Sequence, residues 1–153
     1  MAVKLEHRIG VQAPAEVIWE SLFDVPGWPA WNPIYPKAAG IIRIGAQLDL
    51  ELAMPGLAPQ QIKPVIVDWV PEDRIHWTTR STYGLVKTIR YLEIEALSET
   101  GCIFSNGEIY DGFMGQRMAN RDRRAIRAGF AALGEAMQQR AEAAWRARQG
   151  VTT

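Results

Sequence analysis

From about Gly115 to Arg148 the chain contains no proline and is rich in alanine, as a long helix prefers. Met118, Ile126, Phe130, Leu133, Met137 and Ala141 recur there at spacings of three, four or a multiple of four and so share one stripe. Arg123, Arg127, Glu135, Gln138 and Glu142 take the opposite face. A stripe of this kind is read first as core packing. A partner or membrane surface is its other use, and the arginine content fits that use although nearby acids balance the charge.

The front of the chain reads differently. Val3, Leu5, Ile9 and Val11 share one parity, a first strand interrupted by His7. Pro14 reads as a first helical residue, and Ala13 supplies no capping oxygen. Ile18 with Leu22 and Trp19 with Phe23 form two i,i+4 pairs, and Pro26 ends the helix. WPAWNP then allows at most one more helical turn. Leu48, Leu50 and Leu52 alternate with Gln47, Asp49 and Glu51 after a turn at Gly45, a strand with one buried face. Met54–Pro59 is a breaker cluster, and VIVDWV and RIHWTTR flank a turn at PED. The order is strand, helix, turn, many strands, long helix, which suggests a curved sheet gripping a helix with a cavity between them.

The 153 residues fit one domain, 1–153. Seventeen basic and seventeen acidic residues give no formal net charge, which argues against nucleic acid and anionic membranes as partners. No apolar run is long enough to span a bilayer, and the first residues lack the apolar core of a secretory signal. Cys102 is the single cysteine, and His7 and His76 are the two histidines. No metal site and no cofactor are therefore expected, and a cytoplasmic location is the default. No nucleophile elbow, zinc-binding helix motif or phosphate-cradling loop is present.

The segments KTIRYLEIEAL and CIFSNGEIYD flank SETG and form the best-defined hairpin. If SETG is the whole loop, Leu97 faces Cys102. One face then carries Thr88, Arg90, Leu92, Ile94 and Ala96 with Ile103, Ser105, Gly107, Ile109 and Asp111. The other carries more charge, so the first is expected to line the interior. That register brings Arg90 and Asp111 within reach of each other. They either satisfy one another or form the polar anchor of an apolar pocket, with Asp111 the one candidate for a general base. A one-residue change in loop length would exchange the faces and turn Tyr91, Glu108 and Tyr110 inward.

Taken together, APAEVIWESLFDVPGWPAWNP, RIGAQLDLEL, VDWVPEDRIHWT and the closing helix resemble the helix-grip, or SRPBCC, superfamily. That group includes START-like lipid-transport and polyketide cyclase/dehydrase-like proteins. The resemblance implies an α+β fold, a seven-stranded curved antiparallel sheet around a long C-terminal helix, with two short helices after the first strand. It also implies a cavity for an apolar or amphipathic small molecule. The expected ligand-binding set is Arg90, Asp111, Leu92, Ile94, Ile109, Trp77, Trp31, Phe113, Ile126 and Phe130. The leading reading is a carrier or sensor, a monomer or homodimer without membrane insertion. The alternatives are a metal-free cyclase/dehydratase and a ligand-free interaction module.

Overall fold

The computed structural model describes residues 2–81 and 86–150. Strand β1 (Val3–Val11) is followed by helix α1 (Ala15–Phe23) and a short 3-10 helix (Val25–Ala30). Pro14 is the N-cap of α1 and not its first helical residue: at φ −63° and ψ 154° its backbone is still extended. Its fixed φ suits that place as well as the helix. Strands β2 (Lys37–Ala39), β3 (Asp49–Leu52), β4 (Gln60–Ile62), β5 (Val65–Val70), β6 (Arg74–Ser81), β7 (Val86–Ser98) and β8 (Gly101–Asp111) come next. Helices α2 (Gly112–Arg121) and α3 (Arg123–Arg148) close the chain.

The fold is α+β and helix-grip, but the single seven-stranded sheet is corrected. A five-stranded antiparallel sheet in the order β1-β8-β7-β6-β5 is joined by a three-stranded sheet, β2-β3-β4. Between β4 and β5 lies Pro64, which has no N–H to give to a ladder and interrupts what would be one strand. The sheets stay in register through a bridge between Gln47 and Val65 and a 2.9 Å hydrogen bond from Leu48 N to Pro64 O.

The closing helix begins earlier than expected and is divided. Asp111 caps α2, its carboxylate accepting from Gly112 N at 2.9 Å. Asp122 separates α2 from α3 at φ −102° and ψ 14°, with its carboxylate held by Arg121 at 2.9 and 3.1 Å. Aspartate is among the weaker helix formers, so a bend is least costly there. Helix α3 buries Ile126, Phe130, Leu133, Met137 and Ala141 against the sheet, joined by Ile18 and Leu22 of α1. Gly129 permits a close approach on this helix: a Cβ there would meet the Met54 side chain and lie 3.3 Å from Pro55 Cδ. The β3–β4 connection can thus lie directly on α3.

The β7–β8 hairpin has a one-residue irregularity that decides what faces the interior. Ser98 pairs with Gly101, but the next pair is Ala96 with Cys102. Leu97 is the extra residue of a bulge and stands exposed. Beyond it Thr88 faces Tyr110, Arg90 faces Glu108, Leu92 faces Asn106 and Ile94 faces Phe104. Strand β7 therefore presents Thr88, Arg90, Leu92 and Ile94 inward, while β8 presents the parity opposite to the one expected. Gly107 lies on the outer face under the ring of Tyr91, whose hydroxyl bonds Glu6. This is an aromatic side chain covering a strand glycine.

Candidate functional site

Strands β6, β7 and β8 stand side by side, so inward residues form rows across the sheet. Thr79, Thr88 and Tyr110 make one row, Trp77, Arg90 and Glu108 the next, and Ile75, Leu92 and Asn106 the third. The third row is fully buried, while in the first Thr79 keeps some exposure. A cavity of about 400 Å³ opens above Thr79, Thr88, Tyr110 and Glu108. Its roof comes from the β3–β4 connection, with Leu52, Met54 and Leu57, and its far wall from Met118 and Ile126 of α2 and α3. Gln47, Gln60, Gln61, Lys63, Arg80 and Asp122 stand around it. A wider hollow of about 760 Å³ is an open groove between α1 and α3, lined by alanines and by Glu20, Asp24, Arg140 and Arg148. The smaller cavity has the convergent polar groups expected of a ligand site.

Three of those groups lie together. Tyr110 Oη donates to Glu108 Oε1 at 3.1 Å. Burial, reinforced by the Glu108 charge and that hydrogen bond, holds the Tyr110 phenol protonated far above its ordinary range. Thr88 is buried, and its Oγ1 meets no hydrogen-bonding group among the described residues. A buried hydroxyl left unpaired is costly, and in this rotamer Oγ1 has no surface open to the cavity that the residue lines.

Arg90 has a different role from the expected anchor. It is buried behind the wall and does not line the cavity. Its Nε donates to Tyr35 Oη at 3.0 Å, Nη1 to the carbonyls of Tyr91 and Gly107 at 3.1 and 3.0 Å, and Nη2 to Asn106 Oδ1 at 3.0 Å. The guanidinium carbon sits 4.3 Å from the centre of the Phe130 ring. Asn106 Nδ2 in turn reaches Phe130 O in α3 at 3.1 Å. Arg90 thus ties three elements together and has little donor capacity left. Burial raises the Tyr35 phenol above its ordinary value, against the lowering effect of Arg90.

The other expected site residues are scattered. The Arg90–Asp111 pair does not form: the shifted register sends Asp111 outward to cap α2. Leu92, Ile94 and Phe130 are core residues below the cavity, and Ile109 is on the outer face beside Lys4 and Ile89. Trp77 packs against Trp28 and Tyr35 in the core. Trp31 borders the open groove, beneath Arg140. Phe113 is exposed on α2. Of that set, Ile126 reaches the cavity. Glu108 and Tyr110 belonged to the alternative face of the hairpin, and Thr88 to the favoured one. Tyr35 and Asn106 gave no signal, since their partner Arg90 lies 55 and 16 positions away. Among the described residues no cluster of His, Cys, Asp and Glu is arranged to hold a metal.

A concave sheet around a long helix, with a cavity at one end of the grip, defines the helix-grip class. The chain belongs to the polyketide cyclase / dehydrase and lipid transport family, whose profile matches residues 2–138. No curated protein matches it. Among solved structures it is similar to the Zhui aromatase/cyclase of Streptomyces sp. R1128, with 20% identity, a TM-score of 0.77, and 99% of this chain and 100% of that one covered. It is also similar to norcoclaurine synthase of Thalictrum flavum, at 18% identity and a TM-score of 0.70 over 92% and 94% of the two chains. A START superfamily protein of Mycobacterium smegmatis gives 17% identity and a TM-score of 0.67 over 92% and 98%. At these identities the likeness is one of fold.

Proposed function

We propose that the protein binds a small amphipathic molecule in the cavity between the sheet and α2–α3. The observation that carries this reading is the cavity itself, in which the Glu108–Tyr110 pair stands beside the apolar side chains of Leu52, Met54, Leu57 and Ile126. The volume, about 400 Å³, equals that of about 13 liquid waters, which suits a compact one- to three-ring molecule better than a long acyl chain. Its apolar part would rest on Leu52, Met54, Leu57 and Ile126, and its hydroxyl would donate to Glu108 and, once Thr88 turns about χ1, meet the Thr88 hydroxyl.

Native mass spectrometry of freshly purified protein, with organic extraction, tests this. A near-stoichiometric adduct is expected, and it should be absent from Met118→Trp, in which the indole fills the cavity. If wild type carries no adduct and also fails to bind fluorescent naphthols that Met118→Trp excludes, the reading fails.

One observation favours an enzyme as the second reading. Glu108 and Tyr110 put two ionisable groups within 3.1 Å of each other in the same cavity. Glu108 would take a proton from an enolisable carbon and return it to the hydroxyl that leaves as water, and Tyr110, whose single O–H is released from Glu108 once that carboxyl is protonated, would donate it to the neighbouring oxygen. The aromatase/cyclase and norcoclaurine synthase likenesses lend this reading some support. Glu108→Gln would then retain ligand and lose turnover. Equal turnover in wild type and variant would remove this reading.

A further inference from the structure

The absence of net charge hides a strong segregation of charge. Residues 112–148 carry eight arginines against three acids, and the first 111 residues offset that surplus with nine cations against fourteen acids. The surplus is concentrated at the α2–α3 junction. Arg117, Arg121, Arg123, Arg124 and Arg127 are all exposed, within eleven residues. Asp122 is the acid among them, and it is bound to Arg121.

Exposed apolar side chains accompany the α2 arginines. Phe113 is 77% exposed and Met114 is 40% exposed, the most conspicuous uncovered pair on the helices. In helical spacing Phe113, Arg117 and Arg121 follow one another at intervals of four, with Met114 beside them, so they form one stripe of α2. The opposite stripe buries Gly115 and Ala119 and turns Met118 to the cavity. Arg80, also exposed, stands at the cavity rim, as does Lys63, which lies 4.0 Å from the Asp49 carboxylate.

We infer that this face docks the protein on an anionic lipid surface, with Phe113 and Met114 entering the headgroup region and the arginines meeting lipid phosphates and carboxylates. An amphipathic helix with a basic margin and an aromatic tip has the chemistry for binding in the plane of the interface. Arginine suits the role because its guanidinium pairs with phosphate in fork geometry and its stem covers apolar surface. An acidic protein surface would also meet the arginines. It would give less reason for a phenylalanine and a methionine to project from the first turn of α2 with no described residue covering them. Docking brings the cavity rim to the lipid, whatever the cavity holds, so the inference stands independently of the ligand.

Flotation of the full chain with vesicles tests it, comparing phosphatidylcholine alone with phosphatidylcholine mixed with phosphatidylserine. Binding is expected to the anionic vesicles, and it should be lost at about 0.5 M salt, where the screening length falls below 5 Å. Each arginine near an anionic surface is worth about fivefold in partitioning, so the double variant Arg117→Glu/Arg121→Glu should bind at least about 25-fold more weakly. Phe113→Ser should weaken binding several-fold and leave its salt dependence intact. All these positions are exposed, and unchanged thermal unfolding of each variant checks that folding is intact. Failure of wild type to bind anionic vesicles at low salt overturns the inference, as does equal binding to neutral ones. Retention on poly-glutamate without vesicle binding also overturns it, and would assign the face to an acidic polypeptide.

Discussion

Replacing Thr88 by valine separates the two things its hydroxyl does. Valine has the same branched shape, so strand preference and packing volume are retained. In the free protein the substitution removes a buried hydroxyl that no described group satisfies. Such a group costs about 1–3 kcal/mol, and a buried methyl in its place adds a fraction of the ~0.8 kcal/mol of a buried methylene. The variant should therefore be more stable by about 1–2 kcal/mol. For a chain of this size that raises Tm by about 2–8 °C. Affinity should move the other way: a lost hydrogen bond of about 1–1.5 kcal/mol weakens binding by about five- to thirteenfold. Urea unfolding of ligand-free protein and fluorescence titration with the extracted ligand, or with a naphthol, measure the two effects. A variant that is less stable by more than about 1 kcal/mol would show that the hydroxyl is already satisfied in the free protein. Unchanged affinity would show that the ligand does not use it. Either result refutes the reasoning.

Arg90→Ala should cost about 3–5 kcal/mol in urea unfolding, because Tyr35 and Asn106 lose a charged donor and Phe130 loses its cover; a cost below about 1 kcal/mol would mean that the guanidinium does not tie β7 to the rest of the core. Gly107→Ala should destabilise by about 1–3 kcal/mol or more, since the new Cβ would lie 2.5 Å from the carbonyl oxygen of Leu5 on the adjacent strand as well as against Tyr91. Loss of the Tyr91–Glu6 contact should accompany it, and a near-neutral effect would show that β1 and β8 separate at little cost. Asp68→Asn should flatten the acid limb of stability against pH. The hydrogen bond from Arg74 holds the Asp68 carboxyl below its ordinary value, so its contribution is present above about pH 4 and lost as pH falls through the lower folded-state value. An unaltered acid limb would show that this exposed pair has no proton linkage.

Much of the architecture is written in local patterns. The apolar stripe of α3 is buried as its spacing requires, since a helix of that amphipathicity has one stable way to face a core. The β5–β6 and β7–β8 hairpins lie where the breaker residues put them. Boundaries were less legible. The bend at Asp122 and the break at Pro64 come from single residues whose effect depends on what the chain packs against. The candidate site was legible only in part. Thr88 and Ile126 sit in segments whose inward face follows from alternation or helical spacing. Tyr35 and Asn106 matter only because folding brings them to Arg90.

The sequence carried the resemblance to the helix-grip class, and periodicity within short windows determined the buried stripe of α3 and the inward face of β7. Tertiary structure alone decided which face of β8 meets the cavity. The side-chain period of a strand is two, so the one extra residue at Leu97 reverses every position on the partner. That reversal exchanged Asp111 for Glu108 and Tyr110 in the interior. The arginine run from Arg117 to Arg127 is itself written in the sequence, and tertiary structure decided that all five stand exposed. Composition sums charges over the whole chain, while a neighbouring surface meets only those that the fold gathers on one side.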